Sequence, residues 1–348
     1  MNTNHFQNEC LTLSPHGFPG RTPHGLGLFA AVRRRLPLLG AVLSSALLMP
    51  CPSIASPFAY VPNEKSGTIS IIDCASDSVV GHIQAGTKPR GLAVSHDGNT
   101  LYVSDQPANA LLIVDLRKRA VVGTVPLGES PEGVGISPAG DWVVAASEIT
   151  NSVSFISTAT NKKVFSVKTA GKNPEHAEFS PDGKWLYVSA EEADSIDIID
   201  VSKRQQVASV TLGMRPRGIA FKPDGSQVYI AAEIASMIYA VDVGTQKVVA
   251  QIKGGNFSNG VTMAPDGSRV YISNGKDGTV SVIATANNAV IATIPVGKRP
   301  WNMAITPDGK KLYVANGRSD SVSVIDTETN TVSKEVAVGA LPWGVVIR

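Results

Sequence analysis

Cysteine is nearly missing from this chain, with three in 348 residues, at positions 10, 51 and 74. Cys10 and Cys51 fall in an N-terminal stretch that reads as a removable leader, so only Cys74 remains beyond it. One thiol forms no internal disulfide, and packing must hold the fold. C-x-x-C-H is absent, which excludes covalently attached c-type haem. Histidine is equally scarce after the leader: His82, His96 and His176. No apolar run after residue 55 is long enough to cross a membrane, and no segment carries a useful helical period. A charge excess is missing too. Without residues 1–55, which hold Arg21, Arg33, Arg34, Arg35 and Glu9, the chain keeps 27 of its 31 basic and 28 of its 29 acidic side chains. A near-neutral chain with no basic run lacks the electrostatic footprint of a nucleic-acid binder.

The leader itself is legible. Arg33, Arg34 and Arg35 precede a 14-residue apolar run, Leu36 to Met49, and Ser53-Ile54-Ala55 is a small-x-small exit. That is the order of a secretory signal peptide, here with an extended polar n-region. Residues 1–55 are expected to be removed, leaving a periplasmic or secreted domain, 56–348, with no membrane span.

What the chain has in abundance is one repeated unit. Turn glycines fall at Gly98, Gly140, Gly183, Gly225, Gly267 and Gly309, spaced 42, 43, 42, 42 and 42 residues apart. Each follows a segment such as SPDG, KPDG or TPDG and precedes a β-rich run such as LYVS, VYIA or LYVA. Two more apolar runs and a VG-x-x-P entry complete the period. Four short strands per period of about 42 residues, rich in Val, Ile and Tyr, describe a propeller blade. Phe58 to Val80 matches strands two to four of a blade, and Pro342 to Arg348 matches strand one. The fold class is therefore all-β, a seven-bladed β-propeller of four-stranded antiparallel blades, its ring closed by one blade shared between the chain ends. The Asp-Gly turns, and Asp73, Asp115, Asp200, Asp242 and Asp326 at the ends of third strands, read as turn caps.

LYVANGRSDSVSVIDTETNTV, repeated with SPDG and VG-x-x-P, resembles the YVTN-type β-propeller repeat over about residues 58 to 348. More narrowly, EGVGISP from Glu132, AEFSPDGK from Ala177, WLYVSAE from Trp185 and the ending LPWGVVIR resemble periplasmic propellers associated with alcohol catabolism dependent on the quinone PQQ. That resemblance implies a setting, with a periplasmic dehydrogenase or cytochrome as partner, and brings no catalytic residues with it.

Two columns of the repeat vary and meet on one face. The residue after each Pro, or its equivalent, is Arg90, Glu132, Glu175, Arg217, Asn259, Trp301 and Trp343. His176 and Asn302 replace the Gly found next in the other five blades. The second column, after strand two, includes Glu148, Glu191 and Glu233. Together they make a polar funnel with two tryptophans, suited to a small ligand because Arg clamps carboxylates and Trp stacks on planar rings. The bland alternative is that Arg90, Glu132, Glu175 and Arg217 pair with one another across the channel as a solvated plug. A histidine metal site is not expected; Glu148, Glu191 and Glu233 could hold a hard cation only if their loops converge. The leading expectation is a non-enzymatic exported propeller without cofactor, binding a small ligand or redox partner. The runner-up is a lactonase- or cyclase-like enzyme acting around His176 with Glu175 and an Arg.

Overall fold

The computed structural model describes residues 57–348; the predicted leader, 1–55, lies outside the described residues. Among the described residues, twenty-eight strands form seven four-stranded antiparallel sheets. We number the blades around the ring. Blade 1 joins β1 (Phe58–Asn63), β2 (Thr68–Asp73) and β3 (Ser78–Gln84) to β28 (Val346–Ile347). Blades 2 to 7 then follow in chain order, spanning 89–126, 131–168, 174–211, 216–253, 258–295 and 300–337. The closing blade is thus built from both ends, as the repeat register requires. No helix among the described residues is long and apolar enough to cross a membrane.

A blade cannot bury its own faces, so each packs on its neighbours. The buried side chains accordingly divide into seven clusters, each drawn mainly from two adjacent blades. The tyrosine of the second strand adds a peg between blades. Tyr102 Oη donates to Asn161 at 3.0 Å and Tyr229 Oη to Asn288 at 2.7 Å, each partner lying in the outer turn of the next blade. Those partners have left-handed backbone, which Asn tolerates better than most residues. At the closure Tyr313 bonds Asp77, whose other oxygen accepts from Lys311 Nζ at 2.7 Å. The third-strand aspartates cap turns as expected; Asp115 Oδ1, for example, accepts from the backbone N–H of Arg117 and Lys118 at 3.0 and 2.9 Å.

One irregularity positions everything that follows. In blades 2 to 7 the pairing of the innermost strand breaks right after its first residue, between Pro89 and Leu92, Pro131 and Val134, Pro174 and Ala177, Pro216 and Ile219, Ser258 and Val261, and Pro300 and Met303. The two skipped residues leave the ladder, as in a β-bulge. They are the site column and the glycine column. Their backbone is satisfied from strand two: Ser104 Oγ accepts from Gly91 N, Ser189 Oγ from His176 N and Ser273 Oγ from Gly260 N, at 2.8–3.0 Å.

Candidate functional site

Freed from the ladder, the first bulge residue turns toward the axis and meets the loops after strand two. The result is a mouth cavity of 320 Å³ lined by Glu64, Arg90, Gln106, Glu148, Glu175, Arg215, Arg217, Arg299, Trp301 and Trp343.

Its charges are tightly paired. Arg90 binds Glu64 (Nε–Oε2 3.3 Å) and Glu132. Lys88 Nζ reaches Glu64 at 3.1 Å and Gln106 at 2.7 Å. Arg217 sits among three carboxylates, with Glu175 at 2.9 Å, Glu191 at 2.5 Å and Glu233 at 3.0 Å. Arg215 and Arg299 add contacts to Glu233 at 3.4 and 2.6 Å. Both have left-handed backbone immediately before a proline, φ 63° and 55°, a conformation that the repeat also uses at Ser130, Asn173, Phe257 and Leu341 in the same column. Arg299 also lies over the rings of Phe257 and Trp301.

Between the two arginine centres the carboxyl groups crowd. One oxygen each of Glu148, Glu175 and Glu191 lies within 4.8 Å of the others. Burial, and then the Glu175 charge, push Glu132, Glu148 and Glu191 up. Glu175 goes the other way. Burial works against its charge, but Arg217, then His176 and Arg90, outweigh it and hold the carboxyl below its ordinary value. Neighbouring carboxyls pushed apart in this way supply one acid and one base.

The floor of the mouth is a ring of second bulge residues. At Gly91 an added Cβ would lie 2.3 Å from the Glu132 carbonyl oxygen; at Gly218 it would lie 2.4 Å from that of Asn259, and at Gly260 2.4 Å from that of Trp301. Only glycine permits that approach of neighbouring inner strands. His176 and Asn302 are the exceptions, and their side chains fill the axis. His176, from blade 4, stacks on Trp343 of blade 1, and Asn302 of blade 7 donates to the Trp343 carbonyl at 3.4 Å. Burial lowers its pKa, with Glu175 opposing, so the imidazole is neutral at neutral pH, and its buried Nδ1 has no hydrogen-bond partner.

The structure joins most of the residues that the repeat singled out, with three corrections. Arg90, Glu132, Glu175 and Arg217 do not pair across the channel: Arg90 takes Glu132, and Arg217 takes Glu175, from the adjacent blade, because a side chain on an inner strand reaches its neighbour before it reaches the far wall. The convergent carboxylates are Glu148, Glu175 and Glu191 rather than Glu148, Glu191 and Glu233, since Glu233 is drawn off by Arg215, Arg217 and Arg299. Asn259, like Glu132, Glu191 and Glu233, is buried behind the cavity wall and does not line the cavity; its Nδ2 has no partner.

A family model described as "Lactonase, 7-bladed beta-propeller" matches residues 54–164 and 200–340. The chain belongs to this lactonase propeller family. No curated protein matches it. Solved structures share the lactonase-family fold at low identity. Hydrazine synthase from Kuenenia stuttgartiensis is 23% identical over 77% of this chain and 92% of its own, with a TM-score of 0.71. A functionally unknown protein from Desulfotomaculum acetoxidans gives 18%, 83%, 98% and 0.74. A putative 6-phosphogluconolactonase from Bacteroides fragilis gives 18%, 86%, 100% and 0.71. The family match leaves out residues 165–199, the stretch of this lactonase-family propeller that carries Glu175, His176 and Glu191.

Sequence reasoning missed Arg215 and Arg299. They stand before the proline rather than after it, in a column otherwise filled by Lys88, Ser130, Asn173, Phe257 and Leu341, and two Arg there were a readable signal.

Proposed function

We propose that this propeller hydrolyses a small anionic lactone in the mouth cavity. The observation that carries the reading is the close approach of the Glu148 and Glu175 carboxyl oxygens, within 4.8 Å, one group pushed up and one held down, with the Arg217 guanidinium on Glu175 at 2.9 Å. Water adds to the lactone carbonyl carbon, the ring C–O bond breaks, and a hydroxy acid results. Glu175, ionised, takes the proton of the attacking water; Glu148, protonated, gives one to the departing ring oxygen. Arg217 and Arg90 hold the substrate's anionic group, since Glu132 and Glu191, inclined toward their neutral acids, yield these guanidiniums to a stronger anion. The neutral His176 closes the floor against water from below. Family membership and the putative 6-phosphogluconolactonases among its structural relatives favour a sugar-acid lactone carrying a phosphate or carboxylate.

The test is proton release from 6-phosphogluconolactone and its unphosphorylated δ-lactone in weak buffer. Turnover should exceed spontaneous hydrolysis, and Glu175→Gln should reduce kcat by about 100-fold or more. A rate equal to buffer for every lactone tried refutes the reading, and turnover unchanged in His176→Ala removes His176 from the site.

A second reading, binding without turnover, draws on the rim. Ile149, Met214 and Ile234 are 66%, 53% and 48% exposed beside Glu148, Arg215 and Glu233, an apolar border suited to a protein partner. In the exported setting implied by the leader, that partner would be a periplasmic dehydrogenase or cytochrome of PQQ-dependent alcohol oxidation. Titration with such a dehydrogenase, or with PQQ, should then saturate in the absence of lactone turnover; no binding to either sinks this reading.

A further inference from the structure

Below the His176–Asn302 floor the channel opens again into a second cavity of 580 Å³, walled by the inner strands of all seven blades. The position two residues beyond the glycine ring lines it in every blade. It is Ala93, Gly135, Ala220, Thr262, Ala304 and Val346 in six of them. In blade 4 it is Glu178. Each of these positions faces strand two at one register: Ala93 opposite Tyr102, Glu178 opposite Tyr187, Ala220 opposite Tyr229, Ala304 opposite Tyr313. One carboxyl group therefore enters a lumen whose other walls at that level are small and almost wholly apolar.

Glu178 has no hydrogen bond or ion pair among the described residues. Its side chain is exposed to the lumen, which the seven inner strands ring from the side and which opens at the lower face. Burial alone pushes the carboxyl up to about 7, with no charged neighbour contributing. The other titratable or charged side chains lining the cavity are His96 and Arg348. They meet at the lower rim, where the Arg348 guanidinium donates to the His96 carbonyl. The only side-chain hydroxyl near Glu178 in this column, Thr262, is already donated to the Met303 carbonyl at 2.9 Å.

We propose that the lower channel is a binding site for an organic monocation, an ammonium group on an apolar body, with Glu178 as its counter-charge. A volume of several hundred Å³ with one carboxyl placed among small side chains suits a small ligand. The cation that lines the cavity, Arg348, is engaged at the lower rim with the His96 carbonyl and not with Glu178, so an occupant at the carboxyl must bring the positive charge. A bare divalent ion does not fit, because calcium and magnesium need six or more oxygen ligands and the lumen offers one carboxylate. The His176–Trp343 floor separates this site from the mouth, so it is independent of the proposed hydrolysis and is entered from the opposite face.

Calorimetric titration of the protein with hexylammonium, hexanol and hexanoate tests this through one shared tail. Hexylammonium should bind at least tenfold more tightly than the other two at pH 7. Glu178→Gln should weaken it tenfold or more, and Ala304→Phe, which keeps the carboxyl and fills the lumen, should abolish it. Repeating the wild-type titration at pH 6 in buffers of different ionisation enthalpy should reveal proton release as the ammonium displaces the carboxyl proton. That readout stands even if a variant fails to fold. The proposal is overturned if hexylammonium does not bind, if hexanol or hexanoate binds as tightly, if folded Glu178→Gln or Ala304→Phe binds like wild type, or if no proton is released.

Discussion

His176 lies nearly flat against Trp343, with ring centroids 5.5 Å and planes 12° apart, although the two residues come from blades 4 and 1. Contact between non-adjacent blades through the axis is what divides the channel in two. His176→Ala should remove a stacking interaction of about 1 kcal/mol and admit water to the buried Trp343. Tryptophan emission should shift to the red and the Tm should fall; an unchanged spectrum would mean the rings do not stack in solution.

The pH profile of lactone turnover follows from the signs of the shifts at Glu148 and Glu175. Glu175 must be ionised, and its depressed pKa puts the acid limb below the ordinary carboxylate range. Glu148 must be protonated, and its raised pKa puts the alkaline limb above that range. A bell-shaped profile should result. Arg217→Gln removes the largest influence opposing burial at Glu175 and should move the acid limb to higher pH. An acid limb that stays in place would separate Arg217 from the base.

Gly91→Ala should destabilise by about 3 kcal/mol, because its Cβ meets backbone rather than a yielding side chain. The urea midpoint is the readout. His176→Gly, at the equivalent place in blade 4, should show no such clash and only the loss of stacking.

Ring closure can be loosened at one side chain. Asp77 accepts from both Lys311 and Tyr313, across the junction of blades 7 and 1. Asp77→Ala should cost about 2 kcal/mol by leaving the buried Tyr313 hydroxyl without its acceptor, while Lys311 keeps the Cys74 carbonyl at 2.9 Å. Hydrogen exchange should speed up first in strands of those two blades, and uniform exchange across the ring would argue against a local closure point.

Glu178 gives the molecule a pH-dependent stability of defined sign. Its folded pKa lies above the ordinary carboxylate value, so its contribution is fully present below about pH 4.5 and is lost as pH rises through about 7. Glu178→Gln should match wild-type Tm near pH 4 and exceed it at pH 8. Equal Tm values at both would show that the carboxyl is hydrated in the lumen.

The number of blades, their strands and the shared closing blade were legible because a fixed period near 42 residues forces neighbours into register. The same ruler marked Arg90, Glu132, Glu175, His176 and Arg217. What it could not supply was partner choice. That Arg217 gathers Glu175, Glu191 and Glu233 together depends on side-chain reach around a curved wall, which spacing does not encode. The break in pairing after each proline was invisible too, since it leaves no residue-type signature beyond the glycine. Glu178 was visible as an outlier in its column, but a single carboxylate on an inner strand acquires meaning only once the walls around it are known to be apolar.

The unpaired dipeptide after each blade's first residue has a consequence for variation. Substitutions at the first of its two positions touch no strand pairing and leave the blade-to-blade clusters intact. The channel mouth can therefore change its chemistry from blade to blade, Arg here, Glu or Trp there, while the ring that carries it stays the same. Among related propellers, specificity should be found to migrate through these sockets far faster than through any strand.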